Sequence, residues 1–181
     1  MPSRKTPKRK TILVIGNGRH GKDTVAELIS MLTGTRFTSS SRFAAEKAVY
    51  PFMRHLYPNV DACYEDRTNH RALWFHAISA YNLLPGPTLT EQILVDHEIY
   101  TGMRNWLEFE NSRHLFDFVV WVDASRRLPQ EPPSSMELTR DDATHVIDNN
   151  GDEDQLIKNV RKFVHDAGFI TKPVDETKIQ V

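Results

Sequence analysis

Apolar residues in this chain fall into two alternating kinds of stretch. Short runs rich in β-branched and aromatic residues read as strands. They lie at about 11–15, 36–40, 98–103, 116–122 and 144–148, the clearest being Phe-Asp-Phe-Val-Val-Trp-Val at 116–122, which ends in Asp123. Between them the apolar period lengthens to that of a helix. Val25, Leu28, Ile29 and Leu32 share one helical face, and Gly34 is placed to cap its C-terminus. Ser40 or Ser41 is the expected N-cap of a helix carrying Phe43, Ala44, Ala45, Ala48 and Val49, which Pro51 kinks or restarts through Phe52, Met53 and Leu56. Pro58-Asn59 marks a turn, and a helix is expected over 66–82 with Leu73, Trp74, Ala77, Ile78 and Tyr81 on one stripe. After the break Leu84-Pro85-Gly86-Pro87, Thr88 and Glu91 form a capping-box pattern for a short helix to Asp96. Residues 105–114 and 152–166 complete the helices, the last with Leu156, Ile157, Val160, Phe163 and Val164 inward and Gly168 beyond it.

This alternation predicts an α/β fold with a mostly parallel five-stranded sheet flanked by helices. A single domain over 11–170 is expected, with a helical insert at about 40–85. Residues 126–142 hold three prolines and no period, and read as a short lid. Residues 1–10 carry five Lys or Arg and almost nothing to bury, and read as a flexible basic arm; residues 171–181 read as a polar tail.

Composition narrows the function. A formal net charge of −1 argues against a dedicated nucleic-acid binder. The single cysteine, Cys63, excludes an internal disulfide framework and a Cys-rich zinc site, and fits a reducing cytoplasm as an ordinary free thiol. No apolar run approaches the roughly 18 residues of a membrane span, so no membrane partner is expected.

The candidate chemistry sits directly after the first strand. Gly16-Asn17-Gly18-Arg19-His20-Gly21-Lys22-Asp23-Thr24 lies between a buried strand and a helix. That is the context of a phosphate-binding loop, whose amides and helix N-terminus face an anion. Lys22 would reach the β- and γ-phosphates of a nucleotide. The general pattern G-x-x-x-x-G-K-[ST] is met except at its last position, where Asp23 stands and Thr24 follows. Asp23 could hold Mg²⁺ through its carboxylate or through a water, or equally repel the phosphates where the metal is absent. In open parallel sheets ligands bind beyond the carboxyl ends of the strands, and Arg104 and Asp123 are placed there with the loop.

Phosphoryl transfer requires positioning and positive charge more than covalent help. Arg42, Arg71, Arg104, Arg126 and Arg127 are the candidates outside the loop, because a planar guanidinium makes two hydrogen bonds to phosphate at once. An acceptor that is already a phosphate needs no general base. The histidines show no metal-binding spacing; His20 is placed to serve the loop through its backbone. Trp74, Trp106 and Trp121 read as core residues, with Trp74, beside Arg71, the one placed to face a nucleobase.

The loop Gly-Asn-Gly-Arg-His-Gly-Lys-Asp-Thr resembles the G-x-x-x-x-G-K-D-T loop of bacteriophage-type deoxynucleoside monophosphate kinases, members of the P-loop nucleoside monophosphate kinase group. The likeness extends at pattern level to Gly102-Met103-Arg104 followed by Glu108 and Glu110, to Val122-Asp123-Ala124-Ser125-Arg126, and to residues 145–151 before the last helix. The resemblance implies ATP and Mg²⁺ as cofactors and a deoxynucleoside monophosphate as acceptor. Lys22 and the loop would hold the ATP phosphates, while Arg42, Arg71 and Arg104 would hold the acceptor in a monophosphate-binding insert. Arg126 and Arg127 would close over the transferring group, with Asp23 and Asp123 near the metal. The chain departs from many relatives at Thr101, where they carry an aspartate that orders the metal's waters. A host-cytoplasm location would follow from a phage origin, and a homodimer stays open. Two other readings are a P-loop kinase of another phosphorylated acceptor, such as phosphomevalonate, and a nucleotide-binding module without catalysis.

Overall fold

The computed structural model describes residues 9–171. Five strands, β1 (Ile12–Ile15), β2 (Phe37–Ser39), β3 (Ile99–Thr101), β4 (Phe118–Asp123) and β5 (His145–Asp148), form one sheet in the order β2-β3-β1-β4-β5. All four pairings are parallel, with Val14 opposite Thr101 and Ile15 opposite Trp121. β1 is central and wholly buried because its four residues, Ile-Leu-Val-Ile, have apolar cover on both faces.

The two faces are covered differently. Ile12, Val14, Ile99, Val120, Val122 and Ile147 pack beneath α1 (Lys22–Thr33) and α8 (Glu153–Asp166). Leu13, Ile15, Tyr100, Val119 and Trp121 face the other way, under the helical insert. Gly34 caps α1 as expected, its N–H donating to the Ser30 carbonyl at 2.7 Å. Helix α8 starts at an Asp152 N-cap and stops before Gly168.

The insert is more broken than its period suggests. Ser39, rather than Ser40 or Ser41, caps α2 (Ser40–Ala44). The chain then widens into a π-turn over Ala45–Val49, in which the Tyr50 N–H donates to the Ala45 carbonyl. Pro51, at the start of α3 (Tyr50–Met53), has no N–H to continue the regular ladder. Asn59 not only turns the chain but caps a further helix, α4 (Val60–Glu65), accepting from the Ala62 N–H at 2.9 Å. The helix expected from 66 is 3₁₀ over Asp66–His70 and α only as α5 (Arg71–Asn82). The capping box at Thr88 and Glu91 opens α6 (Leu89–Asp96), and Asn105 caps α7 (Trp106–Ser112).

Two segments read as loose from sequence are tied down within the described residues. Arg9 pairs with Glu98 at 2.9 Å, and Lys10 Nζ donates to the Ala167 and Gly168 carbonyls at 2.6 and 2.7 Å. The rest of the basic arm and all but the first residue of the tail lie outside the described residues. The lid segment is anchored at its far end, where Met136 and Leu138 are buried in the core under the insert. Their i, i+2 spacing is a short extended signature within an otherwise polar stretch. No helix among the described residues is long and apolar enough to cross a membrane.

Phe163 on α8 closes one side of the sheet, edge-on to the rings of Phe118 and His145 at 5.8 and 5.3 Å. Phe163→Ala should lower stability by about 3–5 kcal/mol, read as a fall in urea midpoint with unchanged slope.

Candidate functional site

The chain leaves β1 into the glycine loop because the end of β1 abuts β4. A Cβ on Gly16, whose φ is +144°, would lie 2.7 Å from the Val122 carbonyl oxygen, so only glycine takes this step. Arg19 is the one non-glycine residue described with positive φ, at +64°. Side chains from neighbouring strand ends hold the loop's shape. The His20 ring is fully buried and accepts from the Ala124 N–H at Nδ1, 3.1 Å away, which leaves Nε2 to donate to the Pro129 carbonyl at 3.4 Å. Asn149, just past β5, donates from Nδ2 to the His20 carbonyl at 2.9 Å. Its own N–H donates to the Asp123 carbonyl at 2.7 Å, joining the ends of β4 and β5 beneath the loop.

Lys22 begins α1, and its ammonium donates to the Asn17 carbonyl across the loop at 2.7 Å. Burial, reinforced by the nearby Arg104 guanidinium, lowers its pKa to about 8 against the opposing pull of Asp23 and Glu131. The next residue, Asp23, accepts from the Thr101 hydroxyl at 2.7 Å. Thr101 on β3 thus orients the carboxylate that opens the first turn of α1.

The centre of the site is a carboxylate from the lid segment. Glu131 Oε2 accepts from the Gly18 N–H at 2.6 Å and from Arg104 Nη1 at 2.7 Å. Glu131 Oε1 lies 3.6 Å from Arg71 Nη1, and the Glu131 N–H donates to Asn17 Oδ1 at 2.9 Å. Burial alone would raise the Glu131 pKa, but Arg104, the Gly18 amide and Lys22 outweigh it and hold the carboxyl below its usual range. The loop amide, Arg104 at the end of β3 and Arg71 at the start of α5 therefore meet on one anionic group beside Lys22. The three groups come from three parts of the chain.

The remaining sequence candidates are placed elsewhere. Arg42 is paired with Asp61 at 2.6 Å and lies over the Tyr64 ring. Trp74 is buried in the core and edge-on to Tyr64, rather than facing outward as a base platform would. Arg126 pairs with Asp148 at 2.9 Å. Arg127 Nε donates to the Asn149 carbonyl at 2.7 Å, beneath the loop rather than over it. Asp123 accepts from the Ser125 N–H at 2.9 Å; burial works to raise its pKa, and that hydrogen bonding keeps it low.

Among the described residues, no group of three or more His, Cys, Asp or Glu is placed to hold a metal ion alone. That donor set fits an ion such as Mg²⁺ that arrives largely clothed in phosphate oxygens and water and takes one or two carboxylates from the protein. Asp23, held by the Thr101 hydroxyl, and Asp123, at the end of β4, are the sequence candidates for such an ion.

Sequence reasoning misses Glu131, Asn149 and the loop role of the His20 ring. Glu131 lies in an aperiodic, proline-flanked stretch. Asn149 reads as a turn residue, and only the adjacency of β4 and β5 gives it a partner.

The sheet order, the glycine loop after the central strand and the helices on both faces define an α/β fold of the P-loop kinase type. A shikimate kinase from Bacteroides thetaiotaomicron has the same fold, with a TM-score of 0.50 at 11% identity over 87% of this chain and 98% of that one. Weaker likenesses include a sugar kinase from a Janibacter species (TM-score 0.45, 16% identity, 86% of this chain and 94% of that one). Another is a gluconokinase from Sinorhizobium meliloti (TM-score 0.43, 13% identity, 88% and 95%). No protein-family model and no curated protein sequence matches the chain.

The lowered Lys22 pKa carries a pH dependence with a definite sign. The ammonium is present below about 8 and lost as pH rises through that value. ATP binding, measured by calorimetry, should weaken about tenfold between pH 7 and pH 9, and Lys22→Met should flatten that dependence.

Proposed function

We propose that the chain is a P-loop phosphotransferase that moves the γ-phosphoryl group of ATP onto the phosphate of a deoxynucleoside monophosphate. The observation that carries this reading is the convergence of the Gly18 amide, Arg104 and Arg71 on a single carboxylate next to Lys22. Donors so arranged suit the crowded oxygens of two phosphates brought together for in-line transfer. The Gly-Lys-Asp-Thr end of the loop supports the deoxynucleoside monophosphate as acceptor.

On this reading the loop amides and Lys22 hold the β- and γ-phosphates of ATP. Arg104, fixed at the end of a buried strand, and Arg71, on the insert, hold the acceptor phosphate. An acceptor oxygen forms the new bond to γ-phosphorus as the bond to the ADP oxygen breaks. That oxygen is already anionic, so no side chain has to remove a proton. Asp23, oriented by the Thr101 hydroxyl, and Asp123 would hold a Mg²⁺ ion, which when bound would neutralise phosphate charge. Arg126 and Arg127 serve the transfer only after exchanging Asp148 and the Asn149 carbonyl for substrate oxygens. Arg42 serves the acceptor on the same terms, by leaving Asp61. Trp74 contributes by holding the insert's packing beneath Arg71.

A coupled assay of ADP release should show turnover with at least one of dAMP, dGMP, dCMP or dTMP and none with ATP alone. Silence across that panel and its base-modified analogues, or turnover only with phosphomevalonate, would sink the acceptor assignment. Lys22→Ala should cut kcat by about a thousandfold with an unchanged melting temperature. Arg104→Ala should lower kcat and raise the acceptor KM together.

A further inference from the structure

The carboxylate that reveals the anion site belongs to the chain itself. Glu131 Oε2 is shared between a loop amide and a guanidinium, at 2.6 and 2.7 Å, as a phosphate oxygen would be. The Glu131 side chain is only 15% exposed. The fit depends on glycine: a Cβ on Gly18 would lie 2.9 Å from Glu131 Oε1. The approach is built from both directions. Upstream, the Pro129 carbonyl meets the buried His20 ring and the Glu131 N–H meets Asn17 Oδ1. Downstream, Arg104 Nη1 also donates to the Ser135 carbonyl at 3.0 Å, before the chain is anchored by Met136 and Leu138. The segment between is a strap pinned at both ends with one acid pointing into the loop.

We propose that Glu131 is an internal competitor for the phosphate site, its carboxylate occupying the Gly18–Arg104–Arg71 cradle until a nucleotide's phosphates displace it and release the strap. The inference rests on the reading of the loop as a polyphosphate site. Two anions cannot share these donors. Glu131 also neutralises two arginines and a lysine that would otherwise repel one another. The energy released when phosphate takes over those donors is offset by the loss of the Glu131 contacts, so the apparent affinity is the intrinsic one multiplied by the fraction of time the acid is out of the cradle. Once freed, the strap and its carboxylate lie at the mouth of the site, and Arg71 and Arg104 are free to take substrate oxygens.

The test measures magnesium-ATP affinity of the full chain by calorimetry for wild type, Glu131→Gln and Glu131→Asp. Asp keeps the charge but shortens the reach by one methylene. Competition predicts that both variants bind about tenfold tighter than wild type. If Gln tightens binding while Asp behaves as wild type, the effect is bulk charge and the competitor is ruled out. Equal or weaker affinity in both variants overturns the inference while leaving the nucleotide site standing. Absence of binding in all three removes the site reading and this inference with it. Hydrogen exchange on wild type gives a readout independent of any variant's folding. The peptide spanning 128–135 should exchange faster with magnesium-ATP, and unchanged or slower exchange overturns the displacement.

Discussion

Positive charge gathered at one edge of a sheet has to be balanced, and in this protein the balance is local. Lys22, Arg71 and Arg104 come from a helix start, an inserted helix and a strand end, and they surround one acid, Glu131. Burial and, after it, the Arg104 guanidinium depress the Lys22 pKa, so without an anion these two cations would repel across a poorly solvated space. The architecture therefore creates a site that demands a negative partner, whether a side chain or a phosphate. Geometry at that edge, rather than any single residue, makes the region chemically competent.

The demand is met on a rigid base. The loop is not held by its glycines alone: the His20 ring and the Asn149 amide brace it from beneath, and both are reached from the ends of β4 and β5. Those strands are in register through buried residues, Val122 opposite Ile147, with Asp123 opposite Asp148 at their more exposed end. Apolar burial thus sets the positions of the polar braces, and the braces set the directions of the loop amides. The insert and the strap pack on the other face of this base through buried residues such as Trp74, Met136 and Leu138, and carry Arg71 and Glu131 to the loop.

Much of the layout is legible in the sequence. β1, β4 and α8 were readable because their periods are long or their apolar runs unbroken. The Thr88 capping box and the Gly34 cap were readable because their chemistry is local. The insert was harder. Asn59 looked like a turn residue and is also a cap, and Pro51 forced a π-turn that no periodicity announces. Arg71 and Trp74, three positions apart on the same helix, have different surroundings: Trp74 lies in the core and Arg71 at the loop mouth.

The local alphabet was enough to determine the parallel α/β class, the phosphate-type loop and the presence of arginines near it. Strand burial, helix period and glycine spacing are each encoded within a few adjacent residues. Which arginines face the loop and which are tied to Asp61, Asp148 or a carbonyl was decided by the tertiary structure alone. So was the choice of Glu131 as their partner, 113 residues along the chain from Gly18. Ion pairing depends on distance in space, and contacts so remote in sequence leave no periodic trace in it.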